Sequence, residues 1–269
     1  MTKPNERGFT LVELLVVTVL GTLLAMASYK VISVMQRTHT VQSAQVQGQQ
    51  ALRAGLSVLY AELREASPSD GDLIGMADDS IRLRAMRQAG HVCVSDYSAS
   101  PPRLTLRREG RWLAVGDSVV VLADNDPNRA LDDRWITGMV QSVDTTATCT
   151  GLDKAQRIAV MGLSAVDTIR PGALARSFEL FTYGLFEFDG QPFLGRRSAG
   201  ASPQALVGPL RGKLEGGLAF TYLDENSTIT DVGVEVAQIQ VELRTASLVL
   251  GSDGRPVSDS IVTRIYPRN

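Results

Sequence analysis

The feature that most constrains this chain is a run near its start, "FTLVELLVVTVLGTLLAMASY" from Phe9 to Tyr29, in which Glu13 is the only charged side chain. About 21 helical residues rise about 31 Å, the thickness of a bilayer core. Lys3 and Arg7 precede the run and Lys30 and Arg37 follow it, so the charge bias orients it only weakly. A cleavable secretory signal has an apolar centre of about 7–15 residues with a small-residue site behind it. Here the run is longer, and its pattern does not stop. Val41, Ala44, Gln45, Gly48, Leu52, Leu56, Leu59 and Leu63 recur at three- and four-residue steps, one stripe of a helix. No proline interrupts Phe9 to Ser67, and then "SPSDGD" brings Pro68 and Gly71 as breakers. The pattern predicts one helix of about 58 residues, about 87 Å long. Its first half, about residues 9–30, is apolar enough to span a membrane, and its second half is amphipathic.

Beyond residue 72 the periodicity changes. "SIRLRAM", "RLTLRREGRWLAV", "DSVVVLAD" and "RWITGMVQSV" read as strands separated by Gly-, Asp- and Ser-containing breaks. "SFELFTYGLFEFDGQPFLGRRS" is a hairpin turning at Asp189-Gly190. "GLAFTYLDENSTITD" and "VAQIQVELRTASLVL" read as another strand pair. The expected class is α+β: a long N-terminal helix packed on a β-rich globular domain spanning residues 68–269.

Composition narrows the chemistry. A net charge of -2 gives no support to nucleic-acid binding, which usually shows a basic domain. The chain has two histidines, His39 and His91, and two cysteines, Cys93 and Cys149. "HVC" brings His91 and Cys93 together, but zinc needs about four ligands, or three and a water. No metal or other cofactor is expected. "GDSV" at Gly116–Val119 places Ser118 in a setting similar to an esterase nucleophile block, but no histidine follows His91, so a membrane-anchored hydrolase is the weakest alternative. "DNDPNRALDDRW" spaces Asp124, Asp126 and Asn128 as calcium loops begin, yet Arg129 stands at the sixth position and Trp135 at the twelfth, where glycine and glutamate belong. A solvated acidic loop is the better reading. "LRREGRW" and "GRRS" read as solvated strand faces.

Glu13 needs a reason. An ordinary anchor tolerates the run's length but has no use for a carboxylate, which costs about 2.5–3.5 kcal/mol at a membrane helix centre and less near its end. A short polar leader ending in Gly8, then Phe9, then Glu13 four residues later, then an apolar run, resembles the class III signal sequence of type IV prepilins. "GFTLVELLV" carries the diagnostic positions of that motif. The resemblance implies that residues 1–8 are a leader, that an inner-membrane prepilin peptidase cuts between Gly8 and Phe9, and that Phe9 becomes N-methylated. It implies that residues 9–67 form the helix and that Glu13 acts in assembly.

Further on, "GGLAFTYLDENSTIT" followed by "VAQIQVELRTAS" resembles the late hairpin of PilW-like minor pilins, whose Tyr-x-Asp-x-Asn-Gly turn precedes such a strand. Ser227 stands where that turn has glycine. The implied function is non-enzymatic. The subunit joins other minor pilins and the major pilin in a tip or priming complex, helps start pilus assembly and presents a tip adhesin. The J-type minor pseudopilin of type II secretion shares the architecture and is the first alternative. The implied location is the inner membrane with the domain in the periplasm, then the fibre. In that oxidising compartment an even pair of cysteines is expected to bond, and closing the long loop between Cys93 and Cys149 is worth about 4 kcal/mol in the chain-entropy model.

Overall fold

The computed structural model describes residues 10–108, 112–126, 128–129, 133–149, 154–164, 166–251 and 253–268. Among these residues one α-helix, α1 at Leu11–Glu65, is followed by twelve strands. By their contacts the residues form two units. One holds the chain up to Gln50 together with Ala246–Asp259; the other holds Ala51–Thr245 and Ser260–Asn269.

In the first unit, α1 is exposed on every side through its apolar run: Leu11 is 81% exposed, Leu24 69% and Met35 66%. This stretch is long and apolar enough to cross a membrane. Further along, Val41, Ala44 and Gly48 of the expected stripe are half-buried and Gln45 is exposed.

In the second unit the helix buries one face. Leu52, Gly55, Leu59 and Leu63 are buried, and Leu56 is half-buried. A Cβ at Gly55 would lie 3.2 Å from Leu194 and 3.4 Å from Leu243, so glycine there lets the helix backbone approach the sheet. The helix stops as the breakers require. The Gly71 N–H donates to the Pro68 carbonyl, with Gly71 at φ 76°, and the Ser67 N–H donates to the Asp72 carboxylate at 2.9 Å. Asp72 is buried and lies 3.9 Å from Arg84, and burial raises its carboxyl above the ordinary value despite the Ser67 hydrogen bond and the Arg84 charge.

The strands are β1 (Leu73–Ala77), β2 (Ser80–Asp96), β3 (Arg103–Arg108), β4 (Ser118–Ala123), β5 (Arg134–Asp144), β6 (Ala155–Met161), β7 (Leu174–Phe188), β8 (Gln191–Ser198), β9 (Gln204–Val207), β10 (Leu218–Leu223), β11 (Gln238–Arg244) and β12 (Ser260–Ile265). The first nine form one antiparallel sheet in the order β1-β2-β3-β6-β5-β4-β7-β8-β9, and β2 also pairs with β7. That extra pairing closes β2, β3, β6, β5, β4 and β7 into a six-stranded barrel. The strands β10, β11 and β12 form a separate sheet.

Two long strands make this possible. The 17 residues of β2 pair β1 at one end and β3 at the other, and the 15 residues of β7 pair β4 first and β8 last. The β2–β7 ladder is therefore a spine with a core at each end. One core lies inside the barrel and is built of small and branched side chains, among them Val92, Leu106, Val121, Val140, Ile158 and Val160. The other joins Leu59 and Leu63 of α1 to Leu83, Tyr183, Leu194 and the β10–β12 residues Ile239, Leu243 and Ile265.

Cys93 of β2 and Cys149, in the β5–β6 connection, form a disulfide with their Cα atoms 5.9 Å apart, spanning 56 positions of sequence. The Asp189-Gly190 turn carries positive φ at both residues, 51° and 74°, the type I′ geometry that suits a twisted hairpin. Two expected strands are shorter than the sequence pattern suggested. "RLTLRREGRWLAV" gives β3 over Arg103–Arg108. Residues 109–111 lie outside the described residues, and beyond them Leu113 pairs with the buried side chain of Gln156 instead of a strand (N–H to Oε1, 3.0 Å). The "GLAFTYLDENSTITD" pattern gives only the six residues of β10, because Asp224 Oδ1 accepts from the N–H groups of Asn226 and Thr228, both at 2.8 Å, and turns the chain. Ser227 in that turn has φ 61°, the left-handed conformation that glycine adopts freely.

Candidate functional site: the N-terminal helix and its cap

The start of α1 is built from the residues the motif supplies. Thr10 is the cap. Its Oγ1 accepts from the Glu13 N–H at 3.3 Å, and its carbonyl accepts from the Leu14 N–H at 3.2 Å. This is half of a capping box, with threonine at the cap and glutamate three residues on. Glu13 therefore sits in the first turn, where its charge complements the positive end of the helix dipole. Its carboxylate is exposed and makes no hydrogen bond or ion pair among the described residues. The signal for the box, Thr-x-x-Glu before an apolar run, stands in the sequence at residues 10–13. Gly8 and Phe9, the expected cleavage and methylation positions, lie outside the described residues.

Beyond the cap, hydroxyl groups in the apolar run turn back onto their own helix. Thr18 Oγ1 donates to the Leu14 and Leu15 carbonyls at 3.1 and 2.9 Å, Thr22 to Val19 at 2.8 Å, and Ser33 to Lys30 at 2.9 Å. A hydroxyl satisfied in this way presents little unmet polarity to lipid. Glu13 is the one charged side chain of the run, and no partner for its carboxylate stands among the described residues.

The other residues singled out in the sequence do not assemble into a site. Ser118 opens β4, paired with Met139 on one side and Phe178 on the other, and His91 is an exposed β2 residue paired with Arg107 and Leu174. Asp124 lies 3.6 Å from Arg170, and Asp126 Oδ1 accepts from the Asn128 backbone and side chain at 3.1 and 3.2 Å. Among the described residues no group of three or more histidine, cysteine or acidic side chains is placed to hold a metal. Tyr183, fully buried between α1 and the sheet, has its phenol pushed up to about 12, first by burial and then by the nearby Glu62 charge. Arg87 links the same elements, bonding Glu62 at 3.2 Å and Glu179 at 3.0 Å while lying over the Phe181 ring. These groups hold helix to sheet.

The architecture defines a class: a long N-terminal helix, apolar and unpartnered in its first part, that ends packed on an antiparallel β-domain. Residues 3–29 match the family model described as the prokaryotic N-terminal methylation motif. No curated protein and no solved structure matches the chain. The motif and the helix behind it support a type IV pilin-like or pseudopilin protein, and they fit membrane anchoring and incorporation into a pilus-type fibre.

Proposed function

We propose that the chain is the precursor of a PilW-like minor pilin, an assembly subunit and not a catalyst. The observation that carries this reading is the methylation motif at residues 3–29 running without a break into a helix that continues to Glu65. Residues 1–8 are the leader. A prepilin peptidase cuts between Gly8 and Phe9, and Phe9 is N-methylated. The mature amine, with a reference pKa of about 7.7–8.0, is positive at neutral pH, and a secondary amine keeps that charge. In an apolar helix bundle an unpaired charge is very costly, and pairing removes most of the cost. Glu13, four positions after Phe9 in the sequence, neutralises the amine of a neighbouring subunit in the assembled fibre.

The subunit waits in the inner membrane with its β-domain in the periplasm. It then joins other minor pilins and the major pilin in a complex that primes the fibre and presents a tip adhesin. The Thr10 cap fits this reading, because it starts the helix at Leu11, close in sequence to the amine that must be presented.

Two measurements test it. Intact-mass and N-terminal analysis of sheared fibres should give a chain that begins at methylated Phe9; a chain beginning at Met1 would overturn the processing step. Deleting the gene should abolish or reduce surface pili and leave type II secretion intact. Lost secretion with normal pili would assign the subunit to a secretion pseudopilus instead.

A further inference from the structure

The connection between β11 and β12, Ala246–Asp259, belongs to the unit of the apolar helix. It is a small hairpin. Leu250 bridges Pro256, the Gly251 N–H donates to the Arg255 carbonyl at 2.8 Å, and the Val257 N–H donates to Val249 at 2.9 Å. Its tip is fastened to α1, where Arg37 Nη2 donates to the Gly251 carbonyl at 3.1 Å. That contact places the hairpin tip beside Arg37 of the helix.

The membrane boundary falls close by. Tyr29 and Lys30, an aromatic and a cation of the kinds that mark membrane interfaces, end the uncharged run. Val31, Ile32, Val34 and Met35 extend the exposed apolar surface to within two residues of Arg37, all at least 53% exposed. Seven residues of helix, from Lys30 to Arg37, rise about 10 Å, and the headgroup layer on each side of a bilayer is about 5–7 Å thick. The hairpin tip is therefore held at or just above the headgroups. Beside it the hairpin carries two outward leucines, Leu248 at 88% and Leu250 at 51% exposure. Exposed leucines on a surface loop are common. Here the pair lies within three residues of Gly251, the position bonded to the membrane helix.

We infer that the Ala246–Asp259 hairpin is a second membrane contact, with Leu248 and Leu250 seated in the outer headgroup region of the phospholipid surface while the subunit is anchored. The inference rests on the membrane-anchored reading of α1. Two apolar side chains at an interface bind weakly by themselves. Their effect is to add a second contact to the one helix and so restrict rotation and tilt of the anchored chain.

The test uses the full chain reconstituted in vesicles of phosphatidylcholine and phosphatidylglycerol, the native disulfide kept. An environment-sensitive fluorophore is placed singly at Asp253→Cys, Leu24→Cys or Gln49→Cys, and quenching by lipids spin-labelled at the headgroup or in the acyl chain is measured. Leu24 should be quenched by the acyl label. Gln49, about 18 Å of helix beyond Arg37, should stay near background. Asp253 should be quenched by the headgroup label several-fold more than Gln49, and Leu248→Glu with Leu250→Glu should bring it down to the Gln49 level. If Leu24 is quenched but Asp253 behaves like Gln49, the hairpin contact is overturned and the anchor stands. Strong Asp253 quenching that survives the double substitution overturns the assignment to the leucines. An unquenched Leu24 overturns the anchor and the hairpin contact together.

Discussion

The two ends of α1 are one helix with opposite surroundings. From Leu11 to Met35 apolar side chains point in every direction and none is buried. From Leu52 to Leu63 the buried residues form a stripe, with Arg53, Ser57 and Tyr60 outside it. The first stretch is built for a solvent that accepts apolar surface all round and the second for water on one side and a sheet on the other. Continuity of backbone does not imply continuity of energetics. A substitution in the first stretch should act on anchoring and assembly, and one in the second on folding.

Glu13→Val should give the largest effect. Cleavage and membrane level persist, because the apolar run only becomes more apolar. If Glu13 neutralises a neighbour's amine as proposed, assembly should fail, because losing one half of a buried charge pair costs about 3–5 kcal/mol. Some loss also comes from the capped first turn, so Glu13→Gln, which keeps a polar group there, should fall between. Fractionation of cells lacking the wild-type gene, scoring membrane level, maturation and sheared fibre separately, measures it. Normal fibre output from Glu13→Val would remove the distinction between the two ends.

Leu59→Ala and Leu24→Ala are the matched pair. Leu59 is fully buried in the helix–sheet core, and truncating such a leucine costs about 2–5 kcal/mol. Leu24 touches no core. Thermal unfolding of the full chain in detergent micelles, followed by near-ultraviolet circular dichroism, should fall by many degrees for the first and stay within error for the second.

A smaller contrast lies in two glycines. Gly55→Ala forces a methyl to within 3.2 Å of Leu194 and should destabilise the domain by about 1 kcal/mol, because overpacking outweighs the gain in helix propensity. A Cβ at Gly21 meets nothing within 4 Å, so Gly21→Ala should leave domain unfolding unchanged. Equal denaturation midpoints for the two variants would show that the helix does not approach the sheet at Gly55.

The smallest effect concerns pH, at the point where α1 ends. Burial raises the Asp72 carboxyl above its ordinary value of 3.8, so the folded state takes up the proton first. The cost of burying the charge is present in full above the folded value and is relieved as pH falls toward the unfolded value. Relative to Asp72→Asn, the wild type should therefore gain stability as pH is lowered from neutral into the acidic range. A difference that stays flat with pH, measured by denaturant titration, would mean that the Ser67 hydrogen bond and Arg84 outweigh the burial.

Much of the molecule was legible in the sequence because the signals were local. The helical stripe from Val41 to Leu63, the breakers Pro68 and Gly71, and the Asp189-Gly190 turn each follow from residues a few positions apart. The Thr10–Glu13 box is equally local, a threonine and a glutamate three positions apart. The methylation motif at residues 3–29 needed nothing beyond its own spacing.

Tertiary structure alone decided the rest. The strand pattern of β2 does not say that one end pairs β1, the other β3 and the stretch from Ser80 to His91 β7, because period-two alternation is satisfied by any partner in the right register. Barrel closure is therefore absent from any local window of the sequence. Nor does the sequence say that Gly55 is a contact point while Gly21 is open, since both are glycines in a helical pattern. The same holds for the hairpin at Ala246–Asp259, whose sequence reads as strand and turn. Its bond to Arg37 joins residues 214 positions apart, a distance over which only the folded chain brings groups together. Local periodicity determines elements because neighbours interact before the chain folds. Pairing across long separations depends on which buried surfaces fit, and that is settled only in the packed whole.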